Sequence, residues 1–158
     1  IHLTRAWAPR EWSPGRRGLV VAGLAAWSVA LFPFLKYPAN PPGVGEPDTI
    51  GYRQTLYLGF ILLAVLGLAL AVALRRRLRA TTEGASAWMV PAAFYAVWAL
   101  GLYTFMPPNP DPVNLSEAIV RPFRALSLTG LLIFWGALGV AFVLLGRRRG
   151  MGQERSAW

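Results

Sequence analysis

Cysteine is absent from the chain, and histidine occurs once, as His2. Without thiols there is no disulfide, zinc–thiolate site, iron–sulfur cluster or cysteine nucleophile to consider. Acidic residues are scarce as well, 7 against 16 Lys and Arg, and charged residues make up only 15% of the 158. A soluble domain carries about 25%. The chain also lacks a Ser–His–Asp set, HExxH, GxGxxG and a P-loop. No enzyme is expected from these residues.

What fills the space is hydrophobic, 55% of the chain. It is gathered in four runs, Gly18 to Lys36, Leu56 to Leu74, Ala87 to Met106 and Ala125 to Gly146. Each run holds roughly 19–22 residues, enough at about 1.5 Å per residue to cross a hydrocarbon core of about 30 Å. None has an internal charge; Lys36 stands at a boundary, where its amine can snorkel. A soluble bundle would show polar residues on one face of every helix, and "LGFILLAVLGLALAVAL" shows none. The fold class expected is therefore an all-α integral membrane protein, a single transmembrane domain over residues 1–158. Pairs of small residues spaced by four, Ala22/Ala26, Ala69/Ala73 and Ala137/Ala141, are candidate helix contacts.

Orientation follows the basic residues. Twelve arginines lie beside one set of helix ends: Arg5, Arg10, Arg16, Arg17, Arg75, Arg76, Arg77, Arg79, Arg147, Arg148, Arg149 and Arg155. The other side has only Lys36, Arg53, Arg121 and Arg124. The arginine-rich side is expected to be cytoplasmic, with both termini there. Its partners would be anionic lipid headgroups rather than nucleic acid, because every basic cluster abuts an apolar run. Trp7, Trp12 and Trp88 are placed as interfacial anchors on that side, and Tyr37, Tyr52, Tyr57 and Tyr103 on the other.

The outer side carries two proline-rich loops. Pro38-Ala39-Asn40-Pro41 and Pro107-Pro108-Asn109-Pro110 align at an offset of 69 residues. Each follows a rising helix and leads to arginines before a returning one. The chain thus reads as two helix–loop–helix hairpins, one up to Arg77 and one from Ala87, related as a parallel repeat. A residue before proline is pushed out of the helical region, so neither Asn40 nor Asn109 can readily continue a helix, and the loops act as stiff caps. They also hold the outer candidates for a metal ion: the carboxylates Glu46, Asp48 and Asp111 with the amides of Asn40 and Asn109. Arg53, Arg121 and Arg124 are placed to support them as ion-pair partners. The competing expectation is that the carboxylates simply pair with these arginines, or that Asp48, Ser116 and Glu117 cap helix starts. His2, near a frayed start, is not expected to be a ligand, and Met106 is expected to pack.

The stretch "FPFLKYPANPPGVGEPDTIGYRQTLYL" resembles the CbtA family of predicted cobalt-transporter subunits. That family carries a "KYPxNPPxVG…DTIxxRxxLYL" block, matched here by Lys36, Tyr37, Pro38, Asn40, Pro41, Pro42, Val44, Gly45, Asp48, Thr49, Ile50, Arg53, Leu56, Tyr57 and Leu58. "RPFRALSLTGLLIFWGALG", Arg121 to Gly139, resembles the family's entry to its last helix. The resemblance implies a multi-pass protein of the bacterial inner membrane with cobalt(II) as transported ion, no other cofactor, and a histidine-bearing one-helix partner subunit. It also implies one or two helices ahead of Ile1, as the non-Met start does. The alternative left open by the residues alone is a non-catalytic accessory subunit of a larger photosynthetic or respiratory membrane complex.

Overall fold

The computed structural model describes residues 12–79 and 86–155, the side chains of 86 and 146–155 excepted. His2, Trp7, Arg5 and Arg10, and the side chains of Arg147, Arg148, Arg149 and Arg155, lie outside what is described. Four helices are long and apolar enough to cross a membrane. We name them α1 (Pro14–Lys36), α2 (Ile50–Leu78), α3 (Ser86–Phe105) and α4 (Glu117–Arg155). Among the described residues there is no strand.

Local chemistry sets the ends. Ser13 caps α1, its Oγ accepting from the Arg16 N–H at 3.2 Å, and Pro14 opens the helix where no N–H is needed. Within α1, Trp27–Leu31 forms a π-helical turn, with the Phe32 N–H donating to the Trp27 carbonyl. Pro33 follows at once; it has no N–H and its ring crowds the preceding turn, which the wider π geometry relieves. Tyr37, before Pro38, leaves the helical region and closes α1. α2 is preceded by a 3-10 turn, Pro47–Thr49, and ends on Arg75, Arg76 and Arg77, whose charges suit a helix C-terminus. α4 starts eight residues ahead of its apolar run, at Glu117, and continues beyond the span Glu117–Leu145.

Packing crosses between the two halves of the chain. α1 lies chiefly against α4, and α2 against α3. Exchanging the halves maps the first pair onto the second, as a parallel repeat requires. α1 and α3 run side by side: Trp27 Nε1 donates to Tyr95 Oη (3.0 Å), Lys36 Nζ to the Tyr103 carbonyl (2.7 Å), and Tyr37 Oη to the Pro107 carbonyl (2.7 Å). These partners are 68, 67 and 70 residues apart, close to the 69-residue offset of the loops.

The seams are built from small residues, of which spacing picks out only those on α1. Ala22 and Ala26 are buried as expected, and a Cβ on Gly139 would touch Ala22 at 3.8 Å. Ala69, Ala73, Ala137 and Ala141 are exposed instead. On α2 the buried face is Phe60, Ala64, Gly67 and Ala71. Trp98 of α3 lies directly on Gly67 and its Nε1 donates to the Leu63 carbonyl at 3.0 Å. The largest buried cluster sits beside the π turn, where Phe32 stacks with Trp27 (5.5 Å between centroids) and tilts on Phe60 (4.8 Å). Outward faces stay apolar: Val97 and Leu126 are each 72% exposed, as a surface for lipid or other membrane subunits must be.

Candidate functional site at the loop face

The two proline-rich loops close over the same end of the bundle, and each is held by an arginine from the other half. Arg53, at the start of α2, places Nε 2.9 Å from Asp111 Oδ2 in the second loop. The N–H does not point along that line, so the contact is an ion pair rather than a linear hydrogen bond. Arg53 also donates from Nη2 to the Glu46 carbonyl (3.2 Å), and Thr49 Oγ1 lies 2.8 Å from the same Asp111 oxygen. Reciprocally, Arg124 in α4 donates to the first loop, from Nη2 to Asn40 Oδ1 (2.9 Å) and from Nε to the Ala39 carbonyl (3.3 Å). Two clasps thus cross in opposite directions.

Glycine makes one clasp sterically feasible. Gly45 has φ +100°, a conformation that side chains avoid, and a Cβ there would lie 2.6 Å from Asp111 Oδ2 and 2.5 Å from Arg53 Nη1. The loop therefore runs directly against the ion pair. Burial holds the Tyr37 phenol above its ordinary value, with Tyr52 adding a smaller push. It stays protonated and keeps its bond to the second loop.

Beneath the loops is a cleft of about 480 Å³, lined by Tyr37, Asn40, Arg53, Gln54, Tyr57 and Asn109 among others. Beside it lies a smaller hollow of about 180 Å³, bordered by Gly45, Glu46, Asp111 and Asn114. Arg53 borders the first and Asp111 the second, so their ion pair stands between the two spaces.

The residues singled out from sequence are distributed as follows. Asp111 is buried and paired with Arg53, while Glu46 and Asp48 are exposed. Asn109 Oδ1 accepts from the Asp111 N–H (3.2 Å), and Asn40 Oδ1 is taken by Arg124. Arg121 pairs with Glu117 one turn away, both 78% exposed, which contributes little. Glu46 and Asp111 share the hollow, Asn40 and Asn109 share the cleft, and Asp48 borders neither. Among the described residues, no three His, Asp or Glu side chains gather where they could hold one metal ion.

Four participants escaped sequence reasoning: Tyr37, Gly45, Thr49 and Gln54. Tyr37, Gly45 and Thr49 sit in the loop block that carries the family resemblance, which was the available signal. Gln54 had none.

Inside the spans the hydroxyls are already used. Ser28, Thr104, Ser127 and Thr129 each donate to a carbonyl four residues back in their own helix, at 2.8–2.9 Å. Their O–H donors are thus committed within their own helices.

The family described as "Probable cobalt transporter subunit (CbtA)" matches residues 2–146. This chain belongs to the CbtA family. The match embraces both loops, both clasps and all four spans. No curated protein and no solved structure matches the chain. As a CbtA-family member with four apolar spanning helices it is a multi-pass membrane protein, of a family of cobalt transporter subunits.

Proposed function

We propose that this chain is a membrane subunit of a cobalt uptake transporter of the bacterial inner membrane, with its loop face outward and its arginine-rich face in the cytoplasm. The observation that carries the reading is the pair of cross-clasped loops over a cleft of mixed lining, in which Asn40, Arg53, Gln54 and Asn109 face Val44, Ile50 and Leu56, on a chain of this family. Cobalt(II) is the cargo, not a resident cofactor, and the residues are not those of an enzyme. Glu46, at the rim of the hollow, and Asp48, exposed in the turn before α2, raise the local concentration of a divalent cation. Asp111 and the amides of Asn40 and Asn109 offer oxygen to its hydration shell at the hollow and the cleft. Arg53 and Arg124 hold these groups, and Arg121 steadies the start of α4 through Glu117.

The apolar spans with self-satisfied hydroxyls support a path shared with other chains. The ion would pass along a boundary between this subunit and further membrane helices, a small histidine-bearing one-helix subunit among the fitting partners. Anionic lipids would face the arginines on the inside. The family match gives no support to an accessory role in a photosynthetic or respiratory complex.

The test is radiolabelled cobalt(II) uptake by cells making the whole transporter. Asp48→Asn together with Asp111→Asn is expected to lower uptake about tenfold at low ionic strength. Arg53→Gln with Asp111→Asn, which neutralises the ion pair as a unit, controls for damage to the fold. Uptake equal to the wild type at equal expression would remove the loop carboxylates from the path.

A further inference from the structure

The arginine-rich face contains a charge for which the transport reading has no use. Arg75, near the end of α2, is only 7% exposed, although a guanidinium stays charged at any working pH. Its Nε and Nη1 are sealed from solvent and donate to no acceptor. The guanidinium stands over the Trp88 ring, Cζ 4.2 Å from the centroid. Trp88 stacks on Trp12 at 6.1 Å, and Arg16 covers Trp12 at 4.7 Å. Arg79 follows one turn later on the same helix face, adding like charge. The acids whose side chains are described, Glu46, Asp48, Asp111 and Glu117, all belong to the opposite face.

Proteins do not ordinarily bury charged donors unpaired; an unsatisfied one points to a ligand, ion or water. We propose that Arg75 is the centre of a phosphate-binding site, with Trp88 as its wall and Arg16 and Arg79 at its rim. The depth selects the chemistry. Arg75 lies three residues from the end of the span Pro47–Leu78, at the level where lipid phosphates stand. The guanidinium fork has two edges that match two oxygens of a phosphate, Nε with Nη2 and Nη1 with Nη2, and each contains one of the two sealed donors. An aromatic wall at the headgroup level suits the ester side of a lipid. Trp88, the wall over the guanidinium, is itself 39% exposed, so a movement of that ring would open the donors to an anion. The site rests on the arginine face being a membrane–water boundary, and on nothing in the transport path.

Native mass spectrometry of the protein extracted in mild detergent reads the proposal. The wild type is expected to retain one phospholipid, and Arg75→Gln to bind it at least about tenfold more weakly. Arg75→Lys, which keeps the charge without the fork, falls between, and Arg77→Gln, exposed on the same helix, retains the lipid. If Arg75→Gln does not fold, the lysine variant and the titrations carry the test. Delipidated wild type titrated with inorganic phosphate, then with phosphatidylglycerol vesicles, separates the two sources: stabilisation by phosphate alone assigns a free-anion site, stabilisation by vesicles alone a headgroup site. Equal lipid retention by wild type and Arg75→Lys, with no stabilisation by either phosphate or vesicles, would overturn it. So would Glu83→Gln reproducing the Arg75→Gln loss of thermal stability, since a carboxylate of the chain itself would then be the partner. Cobalt uptake enters none of these readouts, so failure here leaves the loop-face reading standing.

Discussion

Arg53→Ala is expected to destabilise the folded protein by about 3–5 kcal/mol, the cost of stranding a buried charge. The Asp111 side chain is 3% exposed and the Arg53 side chain 26%, so the carboxylate is the partner that cannot reach water. After the substitution only the Thr49 hydroxyl would remain beside its Oδ2. Asp111→Asn should cost less, because the freed guanidinium is already partly solvated. The double substitution should cost less than the sum of the singles. Chemical unfolding in detergent measures all three. A loss no larger than that of Arg121→Ala, whose pair with Glu117 is solvent-exposed on both sides, would show that the ion pair does not hold the loops. Gly45→Ala attacks the same clasp from the backbone. Its methyl would enter the space of Asp111 Oδ2 while φ stays at +100°, so about 1–3 kcal/mol should be lost. The proline loops are stiff through their own backbone, but it is this pair and the Arg124–Asn40 bond that fasten each to the other half.

The second large effect is expected in mid-membrane. Gly67→Ala would put a methyl inside the Trp98 indole, so either α3 moves away from α2 or the ring leaves. Both outcomes break the Trp98 Nε1 bond to the Leu63 carbonyl. Overpacking of this kind costs about 1–3 kcal/mol, and in lipid no general hydrophobic force draws the helices back together. Thermal unfolding gives the loss, and the Trp98 emission should shift as the ring is displaced. Gly59→Ala is the control: nothing lies within 4 Å of a Cβ there, and a near-neutral result is expected. If the two alanines behave alike, the contact between α2 and α3 is not the one described.

These two effects mark what was legible beforehand and what was not. Four spans could be read from apolar length, because lipid demands it and little else produces it. The proline loops were legible because proline constrains its own and the preceding residue wherever it stands. The contacts between α1 and α3, Trp27–Tyr95, Lys36–Tyr103 and Tyr37–Pro107, were not legible at all, because each joins residues 67 to 70 apart that only the tertiary fold brings together. The face each helix turns inward was not legible. A helix apolar all round has no polar side to point outward, so spacing alone chose Ala69/Ala73 while the contact falls on Ala64, Gly67 and Ala71. The π turn left its sign in the run "LFPF", where Pro33 interrupts the first span. The candidate site was half legible. Its residues were named and pairing of the carboxylates with these arginines was expected, but not which arginine meets which carboxylate, since Arg53 opens α2 and Asp111 lies in the second loop, and only the tertiary fold joins them. The same pairing separates the carboxylates: Asp111 is held by Arg53, whereas Glu46 and Asp48 are exposed at the surface.

The most direct test is cobalt(II) flux into sealed vesicles reconstituted with the purified native complex, with and without this subunit. The account predicts radiolabelled cobalt accumulation only when the subunit is present, entering from the side on which the Pro38–Pro41 and Pro107–Pro110 loops are exposed to added protease. Equal accumulation without the subunit, or entry from the arginine-rich side, would contradict it.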